Sequence, residues 1–282
     1  MSGTPLGGAG GRLADFVIRH PRLLVLTGAG CSTASGIPDY RGPDGRLKQR
    51  LPVLYADFLQ SPAARRRYWA RSMAGWPRVA EARPNPAHRA LARLEARGRV
   101  GLLVTQNVDG LHQKAGSSRV LDLHGRLDAV ACLGCGALFR RDDVQALLVA
   151  WNPQLTARTQ SVPAPDGDAQ LEAVGDDFRV PDCRDCGGVL KPDVVLFGES
   201  VPRGRVAEAL AALAACDGVL VVGSSLAVYS GYRFCLEARE LGKPIAALNL
   251  GRTRAEDLLA LKAEAECGEA LSAVLERLEA AA

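Results

Sequence analysis

The sequence predicts an open, doubly wound α/β domain carrying a small insertion held by cysteines. Short, near-continuous apolar runs recur along the chain and suit a parallel sheet buried on both faces. Helical patterns lie between them, as doubly wound folds require. Two Cys-x-x-Cys pairs flank the long stretch that breaks this alternation.

The first strand is expected over residues 22–27, which run into the tight turn Gly28-Ala-Gly30. Residues 99–105, 218–223 and 244–250 repeat the pattern. Helices are expected over residues 86–97, 203–215, 234–241 and 255–265. Residues 48–85, rich in arginine, aromatics and proline, read as a helical excursion. Residues 129–189 form the cysteine module, and 150–180 read as a long loop tied at its base by whatever the cysteines bind. The large domain is then assembled from residues 20–47, 86–128 and 190–282, with residues 1–19 as a flexible leader.

Composition excludes several functional classes. With 282 residues, 48% hydrophobic and 23% charged, the chain reads as an ordinary globular protein. A net charge of +4, without a block of like charges, demands neither nucleic acid nor membrane as partner. The triplet Arg65-Arg66-Arg67 reads as a solvated helix face. No apolar run reaches the roughly 18–20 residues that span a bilayer. The first residues lack the basic and apolar regions of an export signal. Lysine is scarce among the 35 basic residues and alanine is abundant, a bias that suggests a GC-rich bacterial genome. Eight cysteines are expected to stay reduced in a cytoplasmic chain, which favours metal binding over disulfides.

Cys132 and Cys135 form one pair, Cys183 and Cys186 the other. Each turn sets two thiolates on one side of a metal, and together they complete a tetrahedron for a structural zinc. The competing reading is a redox dithiol. Four sulfurs close the coordination sphere, so the zinc has no need of His124. Cys31, Cys216, Cys235 and Cys267 read as buried, inert thiols.

The remaining chemistry collects at expected strand ends. Gly28 and Gly30 let backbone amides approach a pyrophosphate, and Ser32, Thr33 and Ser35 add hydroxyls. The third glycine of the usual dinucleotide fingerprint is missing, and no acidic residue is placed to hold an adenine ribose. Any dinucleotide site is therefore a variant one. Gln106, Asn107 and Asp109 follow the second strand and suit a polar ligand or, alternatively, cap a turn. Gly223-Ser224-Ser225 and Asn249-Leu250-Gly251 end the third and fourth strands.

In this order, Gly28-Ala-Gly-x-Ser-x-x-Ser-Gly-Ile-Pro-Asp-Tyr-Arg41, Thr105-Gln-Asn-Val-Asp109 and Leu123-His-Gly125 resemble the sirtuin family of NAD-dependent protein-lysine deacylases. The paired cysteine turns, Lys191-Pro-Asp-Val-Val-Leu-Phe-Gly-Glu199, Gly223-Ser-Ser225 and Leu248-Asn-Leu-Gly251 extend the resemblance across residues 20–270. Arg67-Tyr-Trp-Ala-Arg71, Pro84-Asn-Pro-Ala-His88, Pro165-Asp-Gly-Asp168 and Tyr229-Ser-Gly-Tyr-Arg233 look like the class II branch.

The resemblance implies a Rossmann-like large domain and a small zinc module, with NAD and acyl-lysine meeting between them. It assigns Gly28, Ala29, Gly30, Ser32, Asp39 and Arg41 to a mobile cofactor loop, with Tyr40 near the nicotinamide ribose. Gln106, Asn107, Val108 and Asp109 would line the ribose and nicotinamide pocket, with Asn107 also among the catalytic pair. Gly223, Ser224, Ser225, Asn249, Leu250 and Gly251 would hold the adenosine half, with Cys267 beside adenine. His124 corresponds to the general base, work that suits an imidazole whose ordinary pKa is about 6.5. His112 is its nearest rival; His20 reads as a surface residue and His88 as the start of a helix.

The implied reaction begins with attack of the acyl oxygen on the anomeric carbon, releasing nicotinamide. His124 then takes a proton from the ribose hydroxyls, and water later frees lysine and O-acyl-ADP-ribose. Peptide would add as a strand between Phe197-Gly198-Glu199 and the backbone after Ser225. Val195 and Phe197 would line the acyl-lysine tunnel. Tyr68 and Arg71, three residues apart, share a helix face. They would either grip the carboxylate of an acidic acyl group, as class III relatives do, or staple the excursion. Protein mono-ADP-ribosyltransfer from the same NAD pocket is the alternative activity. A non-catalytic NAD-sensing module is a third reading, for which a base would be superfluous.

Overall fold

The computed structural model describes residues 8–42, 46–48, 53–156, 168–169 and 174–280. Its strands are β1 (Leu23–Thr27), β2 (Val100–Thr105), β3 (Val120–Asp122), β4 (Gly125–Cys132), β5 (Leu138–Arg140), β6 (Leu190–Val194), β7 (Gly218–Val222), β8 (Ile245–Leu248) and β9 (Leu261–Ala263). Its helices are α1 (Ala9–Arg19), α2 (Tyr55–Gln60), α3 (Pro62–Glu81), α4 (Pro86–Ala96), α5 (Leu111–Lys114), α6 (Arg141–Trp151), α7 (Pro153–Thr156), α8 (Arg203–Ala215), α9 (Tyr229–Glu240) and α10 (Cys267–Ala280). Six strands pair in parallel in the order β3-β2-β1-β7-β8-β9.

Alternate side chains of the central strands serve opposite faces. Leu23 and Val25 join a core with Leu13, Phe16, Leu91, Leu94, Leu271 and Val274 from α1, α4 and α10. Leu24 and Leu26 point the other way, to Leu213 of α8 and Phe234 and Cys235 of α9. Covering both faces explains why the strands read as unbroken apolar runs.

The small domain has its own core. β4 pairs antiparallel with β5 and β6, and Phe58, Tyr68, Trp69 and Met73 pack against Val130, Leu148 and Leu190. The excursion over residues 48–85, described as α2 and α3, thus shares one core with the cysteine module. β4 and β6 extend the small domain to Gly125 and Val194, beyond the 129–189 expected. Of the 150–180 loop, α6 and α7 account for the start. Residues 157–167, including Pro165 and its two successors, lie outside the described residues.

Two expectations are overturned and a third is extended. The leader of residues 1–19 is, from Ala9, the amphipathic helix α1. Leu13, Phe16 and Val17 recur at helical spacing and are buried; each contributes about 1.5–3 kcal/mol by leaving water, so the segment docks. Residues 1–7 are not described. The helix expected over residues 255–265 is a single 3₁₀ turn, Glu256–Leu258, followed by β9. The Ala- and Leu-rich sequence favours helix locally, but the edge of β8 takes residues 261–263 as a sixth strand. The helix expected at 234–241 begins five residues earlier, at Tyr229, and α10 was not expected at all.

The strand order reverses direction between β1 and β7. Open α/β sheets bind ligands outside the carboxyl ends of the strands at that reversal.

Candidate functional site

The loops after β1 and β7 pack backbone on backbone. The Gly28 N–H donates to Val222 O at 3.1 Å and the Gly30 N–H to Gly223 O at 2.8 Å. Gly223 has φ +60°, and a Cβ there would lie 2.3 Å from the Cys31 nitrogen. Only glycine fits. The two loops form the floor of a cavity of about 600 Å³.

A polar network ties β2's carboxyl end to this floor. Asn107 Nδ2 donates to Gly28 O and Ser32 Oγ, each at 3.0 Å. Ser32 Oγ donates to Asp109 Oδ2 at 2.7 Å, and Asp109 Oδ1 accepts the Leu111 N–H at 2.9 Å. Ser224 Oγ donates to Gln106 Oε1 at 2.7 Å. Beneath lie Cys31, His88 and His112, all buried. Burial lowers the pKa of His88 to about 4 and of His112 to about 3, so both rings are neutral. His112 Nε2 sits 2.9 Å from Thr27 Oγ1, behind the cavity rather than in its wall. Burial raises the Cys31 thiol well above its ordinary value, leaving it inert.

His124 follows β3 and stands on the cavity wall. Its Nδ1 lies 3.0 Å from Gln106 O and its Nε2 2.8 Å from Ser230 Oγ. Burial lowers its pKa; the Gln106 bond opposes this and the Arg205 charge adds to it. Gly125 must follow it: φ is +82° and a Cβ would meet Asp193 O at 2.0 Å.

Across the cavity, Val195 N–H donates to His124 O at 2.8 Å, so the β6 exit is tied to the histidine. Phe197 O accepts the Tyr55 N–H at 2.9 Å, and Tyr40 meets the Phe197 ring edge-on at 5.8 Å. Glu199 pairs with the buried Lys191 at 3.1 Å, and Asp39 pairs with Lys48.

The four expected metal ligands come together. Cys132 and Cys186 sulfurs are 3.5 Å apart, Cys135 and Cys183 sulfurs 3.8 Å, and all four lie within 4.8 Å of one another. A tetrahedron of 2.3 Å Zn–S bonds has edges of about 3.8 Å, so the set fits zinc. A Cβ on Gly188 would come 2.9 Å from Cys132 Sγ, so the knuckle leaves room only for backbone. Amides of Cys135 and Gly134 lower Cys132 to about 6, toward the thiolate a metal needs.

A family model described as the Sir2 family matches residues 28–230. The chain belongs to the Sir2 family. It is 59% identical, over 93% of its length and 90% of the relative's, to a protein of Xanthomonas campestris named NAD-dependent protein deacetylase. To the Drosophila melanogaster protein named NAD-dependent protein deacylase Sirt4 it is 46% identical, over 92% of this chain and 84% of that one. A solved complex of Sir2 with a p53 peptide and NAD+ superposes with a TM-score of 0.76 at 28% identity, covering 98% of this chain and all of the other.

Most residues singled out in this sirtuin's sequence line one cavity: the glycine loop with Asp39, Tyr40 and Arg41, then Gln106 to Asp109, His124, Gly223 to Ser225, Asn249 and Leu250. Val195, Phe197, Gly198, Glu199 and Tyr68 line it too. Three do not. Gly251 turns its carbonyl to Asn249 and Lys262. Cys267 starts α10, packed in the core. Arg71 pairs with buried Asp168 at 3.7 Å and donates to Ala169 O at 3.3 Å. The wall also includes Ser230, Arg233, Arg203 and Arg252. Only the first two had a sequence signal, the motif of residues 229–233.

Proposed function

We propose that this chain is an NAD-dependent protein-lysine deacylase, moving the acyl group from lysine to ADP-ribose with release of nicotinamide. One observation carries the reading: a single cavity is walled at once by the glycine loop, by Asn107 and Asp109, by His124 and by Phe197-Gly198-Glu199. A neutral imidazole suits proton abstraction, and burial favours the neutral ring.

His124 acts as the base toward the ribose hydroxyls. Asn107 and Asp109, held by Ser32 and Gly28, orient the nicotinamide ribose, while Ser224, Ser225 and Asn249 take the adenosine end. Peptide pairs with the Phe197 segment, whose other side is already bound to Tyr55. When bound, zinc cross-links two turns of the small sheet and leaves no open coordination position.

Arg71 is engaged by Asp168 and Ala169, which favours a stapling role and neutral acyl chains. Arg71→Ala is expected to lower turnover of acetyl and succinyl peptides alike; selective loss of the succinyl substrate would make Arg71 a carboxylate clamp.

The cytoplasm is the proposed location, supported by eight free cysteines and by bacterial relatives. No described helix is long and apolar enough to cross a membrane.

Mass spectrometry of an acyl-lysine peptide panel with NAD tests the reading. Nicotinamide and O-acyl-ADP-ribose should appear together, and His124→Ala should cut turnover by about 100-fold or more. ADP-ribose attached to protein, with no deacylation, would overturn it in favour of transferase activity.

A further inference from the structure

The motif Tyr229-Ser-Gly-Tyr-Arg233 opens α9, and none of the roles above uses it. Its second residue, Ser230, is 8% exposed and lines the cavity. Ser230 Oγ lies 2.8 Å from Nε2 of His124.

The hydrogen-bond partners fix the direction of that contact. His124 Nδ1 faces the Gln106 carbonyl at 3.0 Å, and a carbonyl can only accept. Nδ1 therefore carries the ring hydrogen, and in a neutral imidazole Nε2 is then the acceptor. The donor must be the Ser230 hydroxyl. A hydroxyl that donates keeps two lone pairs, so Oγ can accept from a third group at the same time.

The next residue supports the same unit. A Cβ on Gly231 would come 2.6 Å from Gln106 Nε2, so glycine lets the Gln106 side chain lie against the first turn of α9. Gln106 there receives Ser224 Oγ on its side chain and His124 on its backbone carbonyl. Arg233 stacks 5.0 Å over the Tyr229 ring. Two residues of one motif, Ser230 and Gly231, thus act on the His124–Gln106 pair.

We propose that Ser230 is a catalytic relay between the reacting ribose hydroxyl and His124. The ribose O–H proton passes to Ser230 Oγ as the Ser230 proton passes to His124 Nε2. One O–H bond breaks at the ribose, one N–H bond forms on the ring, and Ser230 ends as it began. The ribose oxygen keeps the electron pair with which it attacks the acyl carbon, now part of an O-alkylimidate. The C=N π bond breaks, its pair moves to the lysine nitrogen, and the ring becomes imidazolium. This role rests on the deacylase reading.

Two rates measured on the full-length chain separate the possibilities. Exchange of labelled nicotinamide into NAD, with acetyl peptide present, reports the step before the base is needed. O-acyl-ADP-ribose formation reports the step that needs it. Ser230→Ala should slow product formation by about 10- to 100-fold while exchange falls far less, and Ser230→Thr, which restores a hydroxyl, should recover most of the product rate. Equal losses in both rates, an unchanged product rate, or a folded threonine variant as slow as alanine would each overturn the relay. A wild-type chain that performs neither reaction would sink the deacylase reading itself, and the relay with it.

Discussion

At the scale of single residues, the site depends on which atoms are already occupied. Asn107 spends its amide on Gly28 O and Ser32 Oγ. Asn107→Asp would turn a carboxylate toward that carbonyl and lose both donations, a cost of about 2 kcal/mol in stability. NAD binding should weaken at least tenfold; calorimetric titration with NAD checks it. His124 has a pKa below its ordinary 6.5, first because it is buried, with Gln106 O pulling it up and Arg205 of α8 pushing it down. The base form therefore persists below pH 6.5, and the acidic limb of product formation should fall at lower pH than that. A limb centred at 6.5 or above would show an unshielded ring.

At the scale of elements, the two domains should fail separately. All three tryptophans, Trp69, Trp76 and Trp151, belong to the small domain, on α3 and α6. The sulfur tetrahedron ties the β4–β5 turn to the chain entering β6. Chelating zinc should therefore shift tryptophan fluorescence while most helical circular dichroism, carried by the large domain, survives. Simultaneous loss of both signals would mean that the domains unfold as one. In the large domain, Gly223→Ala places a side chain at φ +60° and 2.3 Å from Cys31 N. A loss of about 2–3 kcal/mol is expected, read as a lowered urea midpoint with an unchanged slope.

At the scale of the whole molecule, acid should unfold the chain through histidines that never touch substrate. His88 and His112 protonate near 6.5 when unfolded but only near 4 and 3 in the fold. Between those values the unfolded chain binds more protons, so stability falls as pH drops below 6.5. At pH 5 each ring costs about 2 kcal/mol relative to neutral pH. Urea unfolding at pH 7 and 5 should show the drop, and His112→Gln should remove about 2 kcal/mol of it. Equal stability at the two pH values would place both rings in contact with solvent.

The chemistry was readable before the fold because it demands particular side chains at fixed spacings. Two Cys-x-x-Cys turns, a Gly-Ala-Gly loop and Leu-His-Gly each serve one purpose, and each lies in one short segment. The buried parallel sheet was readable for a similar reason, since strands covered on both faces must be apolar throughout. Other features were decided only by partners far away in sequence. Residues 261–263 form a strand because β8 offers an open edge, against a local preference for helix. Residues 9–19 form a helix because α10, at the other end of the chain, packs against it. Arg71 leaves the cavity because Asp168 and Ala169 engage it. Ser230 reaches His124 across 106 residues of sequence. Local pattern specifies which groups are present, and long-range packing selects which of them meet.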